Sequence, residues 1–298
     1  MASTQGVPAA APGARKYGAF QNEIYFKGMM HNVFPAVTTD PNKLEAQAEK
    51  GMSARSYAYI AGGAGERATM DANRAAFRAW KLIPRMLVPN TNRDLKVKLF
   101  GEEYETPLLF SPVGVQSLFH AEKETGVAEI AAEIGVPYIL STAASSTIEE
   151  VAKASGAGKR WFQLYWPHDD EVTVSVREQI ELLRKNWDGP IILKGIQHPA
   201  DALKAVEAGV QGIIVSNHGG RQLDGAIGSL TMLPEVVDAV GDKLTVLFDS
   251  GTRTGVDIIK ALSLGAKAVC IGRPWVYGLG IAGNGEAYPG ASVSDLIT

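Results

Sequence analysis

After Pro107 the chain alternates short apolar runs with amphipathic stretches of roughly ten residues, and this alternation constrains the fold more than any other feature. An apolar run bounded by turn residues is typical of a buried parallel strand, and an amphipathic stretch is typical of a helix that covers the sheet. The runs predict strands at 108–112, 138–141, 161–165, 190–195, 211–217, 244–249 and 267–272. Helices are predicted near 122–134, 147–154, 171–186, 199–208, 230–240 and 255–264. Before this region, a helical pattern runs over 42–61 and breaks at Gly62 and Gly63.

An internal repeat supports this interpretation. The residues Asp, Lys, Ala and Gly occur at the same spacing in 201–209 and in 257–265, so each unit predicts a helix that ends at a glycine and leads into a strand. Such units build either a (β/α)₈ barrel or a doubly wound sheet. Polar residues follow nearly every predicted strand, which favours the barrel because all its strands end at one mouth. Seven strands are predicted where eight are needed, so the α/β fold expected is an incomplete (β/α)₈ TIM barrel.

Composition excludes several classes of protein. With 298 residues, of which 46% are hydrophobic, the chain can bury a sizeable core. A net charge of −3 and the absence of a basic cluster argue against nucleic acid as a partner, and the apolar runs are too short to span a membrane. The single cysteine, Cys270, fits a reducing compartment, and we expect a cytoplasmic protein. Residues 1–18 are predicted to be a disordered tail, and 19–298 to be one barrel domain.

The segment SNHGGRQLD at 216–224 is the strongest candidate for chemistry. It follows an apolar predicted strand, so His218 and Arg221 would lie at the barrel mouth. A histidine can act as a general base near neutral pH, and an arginine can bind a carboxylate through two parallel hydrogen bonds. The alternative is a structural histidine in a turn, but the adjacent glycines and arginine favour the functional interpretation.

Two glycine-rich turns follow the last two predicted strands, at 249–255 and 271–274. In a barrel this is the usual place for a phosphate site, because backbone N–H groups at a helix N-terminus bind anions. Arg253 and Arg273 would add charge-assisted hydrogen bonds. Ordinary tight turns with surface arginines are the alternative. No spacing of His, Cys, Asp or Glu typical of a metal site is present.

On these motifs the chain resembles the FMN-dependent α-hydroxy-acid-oxidising family, which includes glycolate oxidase, lactate oxidase and lactate monooxygenase. The matching pieces occur in the family's order, at 59–64, 111–114, 140–142, 162–165, 193–195, 216–224, 249–255 and 272–274. The segments 20–25 and 166–170 look most like the lactate 2-monooxygenase branch.

The resemblance implies a role for each matching residue. His218 would be the catalytic base, and Arg221, Tyr59 and Tyr165 would bind the substrate. Lys194 would lie beside the pyrimidine edge of the flavin. The other implied cofactor residues are Val113, Gly114, Val115, Ser141, Gln163 and Ser216 along the flavin, and Asp249, Gly251, Arg253, Gly272 and Arg273 around its phosphate. Taken alone, Tyr59 fits the buried end of a helix equally well, and Lys194 fits a solvated strand edge.

The chain departs from the family's pattern in two places. Only 28 residues lie between Tyr165 and Lys194. The family has a further strand there, with a flavin-contacting Thr and an Asp that supports the histidine, followed by a long loop with a second substrate-binding Arg. In addition, 284–298 is polar and patternless where the family has a closing helix. The missing eighth strand is therefore predicted to be this one.

The function expected from the resemblance is FMN-dependent oxidation of a small L-2-hydroxy acid, lactate-like, with oxygen as acceptor. Gly114 would leave room for oxygen near the flavin. A small 2-hydroxy acid and oxygen are the expected partners, and a homo-oligomer is possible. The first alternative is an impaired relic that binds FMN weakly or not at all. The second is an unrelated phosphate-binding barrel, which is disfavoured because Cys270 lies inside a predicted strand rather than in a loop.

Overall fold

A computed structural model describes residues 18–88, 94–165 and 176–283. Its strands are β1 (Val97–Leu99), β2 (Glu102–Tyr104), β3 (Leu108–Phe110), β4 (Tyr138–Ser141), β5 (Arg160–Gln163), β6 (Ile192–Ile196), β7 (Gly212–Val215), β8 (Thr245–Phe248) and β9 (Ala268–Ile271). Its α-helices are α1 (Ala19–His31), α2 (Leu44–Gly51), α3 (Ala54–Ala61), α4 (Ala68–Ala79), α5 (Lys123–Ile134), α6 (Ile148–Ser155), α7 (Val176–Asn186), α8 (Pro199–Glu207), α9 (Ser229–Val240), α10 (Gly255–Ser263) and α11 (Arg273–Ala282).

Seven of these strands form one parallel sheet in the order β5-β4-β3-β9-β8-β7-β6. The first strand of this sheet along the chain, β3, pairs with the last, β9, with Leu109 opposite Cys270, so the sheet curls as a barrel does. Its two ends are β5 and β6, and no strand of the described residues lies between them. The fold is therefore the predicted incomplete (β/α)₈ barrel, and the missing strand is the one expected between Tyr165 and Lys194.

The topology explains how the chain bridges this gap. A helix that precedes a parallel strand runs antiparallel to it, so α7, which precedes β6, begins at the same end of the sheet where β5 ends. Deletion of one helix together with one strand therefore leaves the end of β5 and the start of α7 at the same end of the sheet. The two elements can be joined without a connection that runs the length of the sheet. Ile180 of α7 packs with the core that lies outside β7 and β8.

Side chains of successive strand residues alternate between two cores, as strand geometry requires. Ile214, Leu247 and Cys270 point to the barrel interior, which the antiparallel hairpin β1–β2 fills with Leu99 and Tyr104. The neighbouring strand residues pack instead against the covering helices. Every residue of β7 and of β9 is buried.

The sequence predicted most of these elements, with three corrections. The helical pattern over 42–61 forms two helices, because the Ser53 hydroxyl accepts the Ser56 N–H at 3.1 Å and starts α3 anew. Helices α1, α4 and α11 and the hairpin were not predicted. Five of the seven sheet strands end earlier than expected at their carboxyl ends, where the following residues turn into the loops of the mouth, whereas β4 ends as predicted and β6 ends one residue later.

Several expectations lie outside the described residues. They are residues 1–17 of the tail predicted over 1–18, the segment 166–175 with the start of the helix predicted near 171–186, and the chain beyond Gly283. Within the helices that the structure describes, none combines the length and the apolar character needed to cross a bilayer.

Candidate active site

A cavity opens at the carboxyl ends of the parallel strands, and most residues singled out from the sequence line it. These are Tyr59, Val113, Gly114, Ser141, Tyr165, Lys194, His218, Arg221, Asp249, Gly251, Arg253, Gly272 and Arg273. Residues that sequence reasoning did not single out also line it, namely Ile60, Ser111, Pro112, Ala143, Gly219, Ser250, Thr252 and Cys270. Ser111, Ser250 and Thr252 lie inside the motifs at 111–114 and 249–255, so their place in those motifs could have identified them from the sequence.

The three remaining predicted residues lie behind this lining and support it. The Ser216 hydroxyl accepts the His218 N–H at 3.0 Å. The Gln163 side-chain oxygen accepts the Ser141 hydroxyl at 3.0 Å, and the Val115 N–H donates to the Ala143 carbonyl at 2.8 Å. They therefore shape the loops after β3, β5 and β7.

His218 is half-buried in a loop of unusual backbone conformation. Its φ is +57°, in the left-handed region that residues with a β-carbon rarely occupy. Burial, the largest cause, and the nearby Lys194 ammonium together lower the pKa of the imidazole to about 4, against the opposing effect of Asp249. The ring donates or accepts no hydrogen bond with a described residue. At neutral pH His218 is therefore an uncharged imidazole that can accept a proton.

Arg221 is held by the carboxyl end of α3. One guanidinium nitrogen, Nη1, donates to the carbonyl oxygens of Tyr59 at 2.6 Å and Gly62 at 3.2 Å, and the guanidinium lies 5.1 Å from the centre of the Tyr59 ring. Carbonyl groups at a helix C-terminus attract cations. The other guanidinium nitrogens donate to no residue in the described part of the chain, so they can bind a carboxylate.

Arg273 is bound to the same helix end. Its guanidinium donates to the Ile60 carbonyl at 2.8 Å, the Gly62 carbonyl at 2.8 Å and the Gly219 carbonyl at 2.9 Å. Burial lowers its pKa to about 10, so the group is still charged at neutral pH. Because its side-chain donors are occupied, Arg273 contributes charge and its backbone N–H rather than a free guanidinium.

Lys194 forms an ion pair with Asp249. The ammonium lies 3.1 Å from Oδ2 of Asp249 and donates to the Ser216 hydroxyl at 3.2 Å. The second Asp249 oxygen accepts the Ser250 hydroxyl at 3.1 Å. Lys194 is thus held at the mouth by groups from two loops, and it is not a solvated strand edge.

Donors without a partner gather at the two glycine-rich turns. The backbone N–H groups of Gly251, Thr252, Gly272 and Arg273 donate to no described residue. The Arg253 guanidinium donates only to the Thr252 carbonyl, at 3.3 Å, and forms no ion pair within the described residues. The buried hydroxyls of Ser111 and Thr252 also lack a partner there. Unpaired buried donors beside the N-terminus of α11 are what an anion such as a phosphate requires.

Close packing requires a glycine at position 114, in addition to the predicted need for space beside the flavin. A β-carbon at this position would lie 2.8 Å from the Ala143 β-carbon and 3.0 Å from its carbonyl oxygen. The loops after β3 and β4 therefore approach too closely for a larger residue.

Within the described residues, no group of three His, Cys, Asp or Glu side chains could hold a metal ion.

The fold and this cavity define a barrel of the (β/α)₈ type with unpaired donors at its mouth, and comparison with known proteins identifies the family. The chain belongs to the FMN-dependent dehydrogenase family, whose model matches residues 48–181 and 173–287. Membership assigns FMN as the cofactor and oxidation of α-hydroxy acids as the class of reaction, so the chain is an oxidoreductase. The two matched segments overlap at 173–181, within the stretch between Tyr165 and Lys194 where a strand is missing.

Individual relatives agree with this assignment. The chain is 47% identical to an FMN-dependent alpha-hydroxy acid dehydrogenase, qulF, of Penicillium citrinum over 350 aligned positions that cover 90% of this chain and 87% of that protein. Since 350 exceeds the length of the chain, the alignment contains positions at which this chain has no residue. It is 36% identical to an L-lactate oxidase of Lysinibacillus sphaericus, with 84% of each chain covered.

Solved structures show the same relationship. A mandelate oxidase with (S)-2-phenylpropionate superposes with a TM-score of 0.79 at 34% identity, covering 87% of this chain and 91% of that one. A putative lactate oxidase of Pediococcus acidilactici superposes with a TM-score of 0.80 at 30% identity, covering 86% of each chain. The unpaired donors at the glycine-rich turns fit the charge of the FMN phosphate.

Proposed function

We propose that this chain binds FMN in the cavity at the strand ends and oxidises a small L-2-hydroxy acid, lactate-like, to the 2-oxo acid, with oxygen as acceptor. The observation that carries this proposal is the placement of His218, Arg221 and the phosphate-type turns around one cavity. A base, a carboxylate-binding cation and a cofactor cradle are the three elements that this reaction needs.

In the proposed binding mode, the turns at 249–253 and 272–273 hold the FMN phosphate. Their free N–H groups and the Arg253 guanidinium supply donors, and Thr252 and Ser111 supply hydroxyls. Asp249 would repel a phosphate, so its ion pair with Lys194 favours a role in orienting that lysine. Lys194 would then present its charge to the flavin, where a cation changes the electronic properties of the cofactor.

The substrate would bind between the mouth loops. Arg221 binds the carboxylate through the guanidinium nitrogens that α3 does not occupy, and the hydroxyls of Tyr59 and Tyr165 hydrogen-bond to the substrate. A bound carboxylate adds negative charge near His218, which raises the low pKa of the imidazole and strengthens it as a base.

The reaction removes two electrons and two protons from the hydroxy acid. FMN, when bound, supplies the two-electron acceptor. His218 takes one proton from the substrate, and the resulting imidazolium lies beside Asp249, whose charge favours it. Arg221 keeps the substrate oriented, and the second proton would pass with the two electrons to the acceptor that FMN would supply.

A second candidate is a relic of the family with impaired catalysis and weak FMN binding. The open edge between β5 and β6 and the absence of a described hydrogen-bond partner for the His218 ring favour it. A base without an orienting partner samples non-productive orientations, and one arginine fewer weakens the hold on the carboxylate. Charge-assisted hydrogen bonds contribute about 1.5–3 kcal/mol each, so substrate affinity should be at least about tenfold lower than in a full-length relative.

Two measurements separate these candidates. The purified chain is titrated with FMN, and the flavin absorption band gives the stoichiometry and Kd. The loaded chain is then mixed anaerobically with L-lactate, glycolate or L-mandelate, and flavin bleaching is recorded; in air, peroxide release separates an oxidase from a monooxygenase.

We expect weak turnover with L-lactate, and a gain when a family-type strand and loop are inserted between Ser175 and Val176. Robust turnover by the unmodified chain would show that the deletion does not impair the site. Failure to bind FMN even in excess would leave the relic as the better description.

A further inference from the structure

His218 depends on its backbone for its position, because its ring has no hydrogen-bond partner among the described residues. Residues 218, 219 and 220 all have left-handed φ values, of +57°, +67° and +73°. A run of such residues persists only where the surrounding structure holds it, above all at a residue with a β-carbon. The groups that hold this loop therefore determine where the imidazole points.

Two asparagine side chains hold it. The Asn73 Nδ2 group of α4 donates to Oδ1 of Asn217 at 2.9 Å, and the Asn217 Nδ2 group donates back to Oδ1 of Asn73 at 2.7 Å. The same Asn217 oxygen accepts the Gly220 N–H at 3.1 Å, which closes the loop around His218. We propose that Asn73 and Asn217 form a reciprocal amide pair that positions His218 for proton transfer. The use of this position for proton transfer rests on the proposed function, whereas the positioning itself does not.

The pair is fixed on both sides. Asn73 is 2% exposed, and its oxygen also accepts the Ser229 N–H at 3.0 Å, at the start of α9. Asn217 Nδ2 also donates to the Ile227 carbonyl at 3.2 Å, so both hydrogens of this amide are used and its oxygen accepts two bonds. An amide pair bonded in this way has a single orientation, since rotation of either amide would place like groups opposite each other.

Close packing leaves α4 and the loop no room to shift. A β-carbon at Gly220 would lie 2.7 Å from Cγ of Met70, and one at Gly251 would lie 2.8 Å from Cβ of Asn73. Met70 and Asn73 are one turn apart on α4. The helix therefore presses on the loops after β7 and β8 directly beside the amide pair, and it transmits the position of Asn73 to His218.

The charges that face His218 make its position measurable. Lys194, Arg221 and Arg273 lower the pKa of the imidazole together with burial, and Asp249 raises it. If the loop loses its anchor, the ring moves toward solvent and away from these groups. Its pKa should then return toward the ordinary value of about 6.5.

The test is an NMR titration of histidine-labelled protein, with and without FMN, in which the His218→Gln spectrum identifies the His218 signal. In Asn73→Ala and in the uncharged, similarly sized Asn73→Leu, we expect the His218 pKa to rise from about 4 by at least about one pH unit. Arg78→Ala, an exposed change on the same helix, should leave it unaltered. Where turnover is measurable, kcat should fall at least about tenfold while KM and the FMN Kd change less than about twofold.

Unchanged His218 titration in folded Asn73 variants would overturn the proposal. Loss of the folded state in both variants would also overturn it, since the pair would then be structural. The titration needs neither FMN nor turnover. Failure of the proposed function is seen in the wild-type chain as absent FMN binding or absent flavin reduction, and failure of the amide pair is seen only as a variant that titrates like wild type.

Discussion

The two sides of the curled sheet differ in how completely they are enclosed. On the closed side, all residues of β7 and β9 are buried, and Phe248 of β8 has no exposed surface. On the open side, no residue of β5 or β6 is fully buried, and the Phe162 side chain of β5 is 50% exposed. A missing strand therefore affects its immediate neighbours and leaves the far side of the barrel intact.

This difference separates the cofactor groups from part of the substrate groups. The loops after β7, β8 and β9 carry His218, Arg253 and the unpaired N–H groups, and they belong to the closed side. Tyr165 follows β5, and its side chain is 51% exposed. In the proposed binding mode, the loops that hold the cofactor are therefore more completely enclosed than the wall around the substrate.

The largest expected effect tests whether the closed side still carries the chemistry. His218→Ala should slow flavin reduction by L-lactate about 10²–10⁴-fold, because it removes the general base, while FMN binding is largely retained. Anaerobic mixing of the FMN-loaded chain, followed over hours, measures the rate, and His31→Ala on the exposed helix α1 is the matched control. An unaltered rate would remove His218 from the mechanism.

The next prediction compares one substitution on both sides of the sheet. Phe248→Ala should lower the free energy of unfolding by about 3–5 kcal/mol, because a buried aromatic leaves a cavity. Phe162→Ala should lower it by less than about 1 kcal/mol, since half of that side chain already faces water. Urea unfolding followed by circular dichroism gives both values. Equal losses would mean that β5 is enclosed in solution, for example by a second copy of the chain.

How far the sequence anticipated this structure depends on the range of the interactions involved. The strands of the sheet and most helices between them were predicted because their apolar periodicity is local. Helix α4 was not predicted, because Met70 and Phe77 are the large apolar residues of its sequence and they do not form a clear apolar periodicity. It is held by packing against Gly220 and Gly251, far along the chain. No local pattern reports such a contact.

The same limit applies to the site. The residue types and their order singled out His218, Arg221 and both glycine-rich turns, which the structure brings to one cavity, and counting strands located the missing strand. The anchoring of two arginines by the end of α3 joins residues more than 150 positions apart, so it emerges only when the chain folds. The Asn73–Asn217 pair was missed for the same reason, although Asn217 stands beside the predicted base.

A smaller effect concerns the cofactor cradle itself. Arg253→Gln should weaken FMN binding about 10–100-fold, because it removes a charge-assisted interaction that contributes about 1.5–3 kcal/mol. Quenching of flavin fluorescence measures the Kd, and Arg85→Gln, an exposed arginine, is the control. If the Kd stays the same, the Arg253 charge does not contribute to binding, and the phosphate is held by the backbone N–H groups of the two turns.

The smallest effect is the dependence of stability on pH. The folded His218 has a pKa of about 4, whereas an unfolded histidine has one of about 6.5. Between these values the unfolded chain binds more protons, so the contribution of His218 to stability is present above pH 6.5 and is lost as pH falls toward 4. Because the ring is only partly buried, the loss should be about 1 kcal/mol or less. Urea unfolding at pH 7 and pH 4.5 should show a smaller decrease for His218→Gln than for the wild-type chain. An identical decrease in both proteins would mean that His218 has an ordinary pKa in the folded chain. Water would then reach His218 at the mouth of the barrel as it reaches the exposed Tyr165 on the open side.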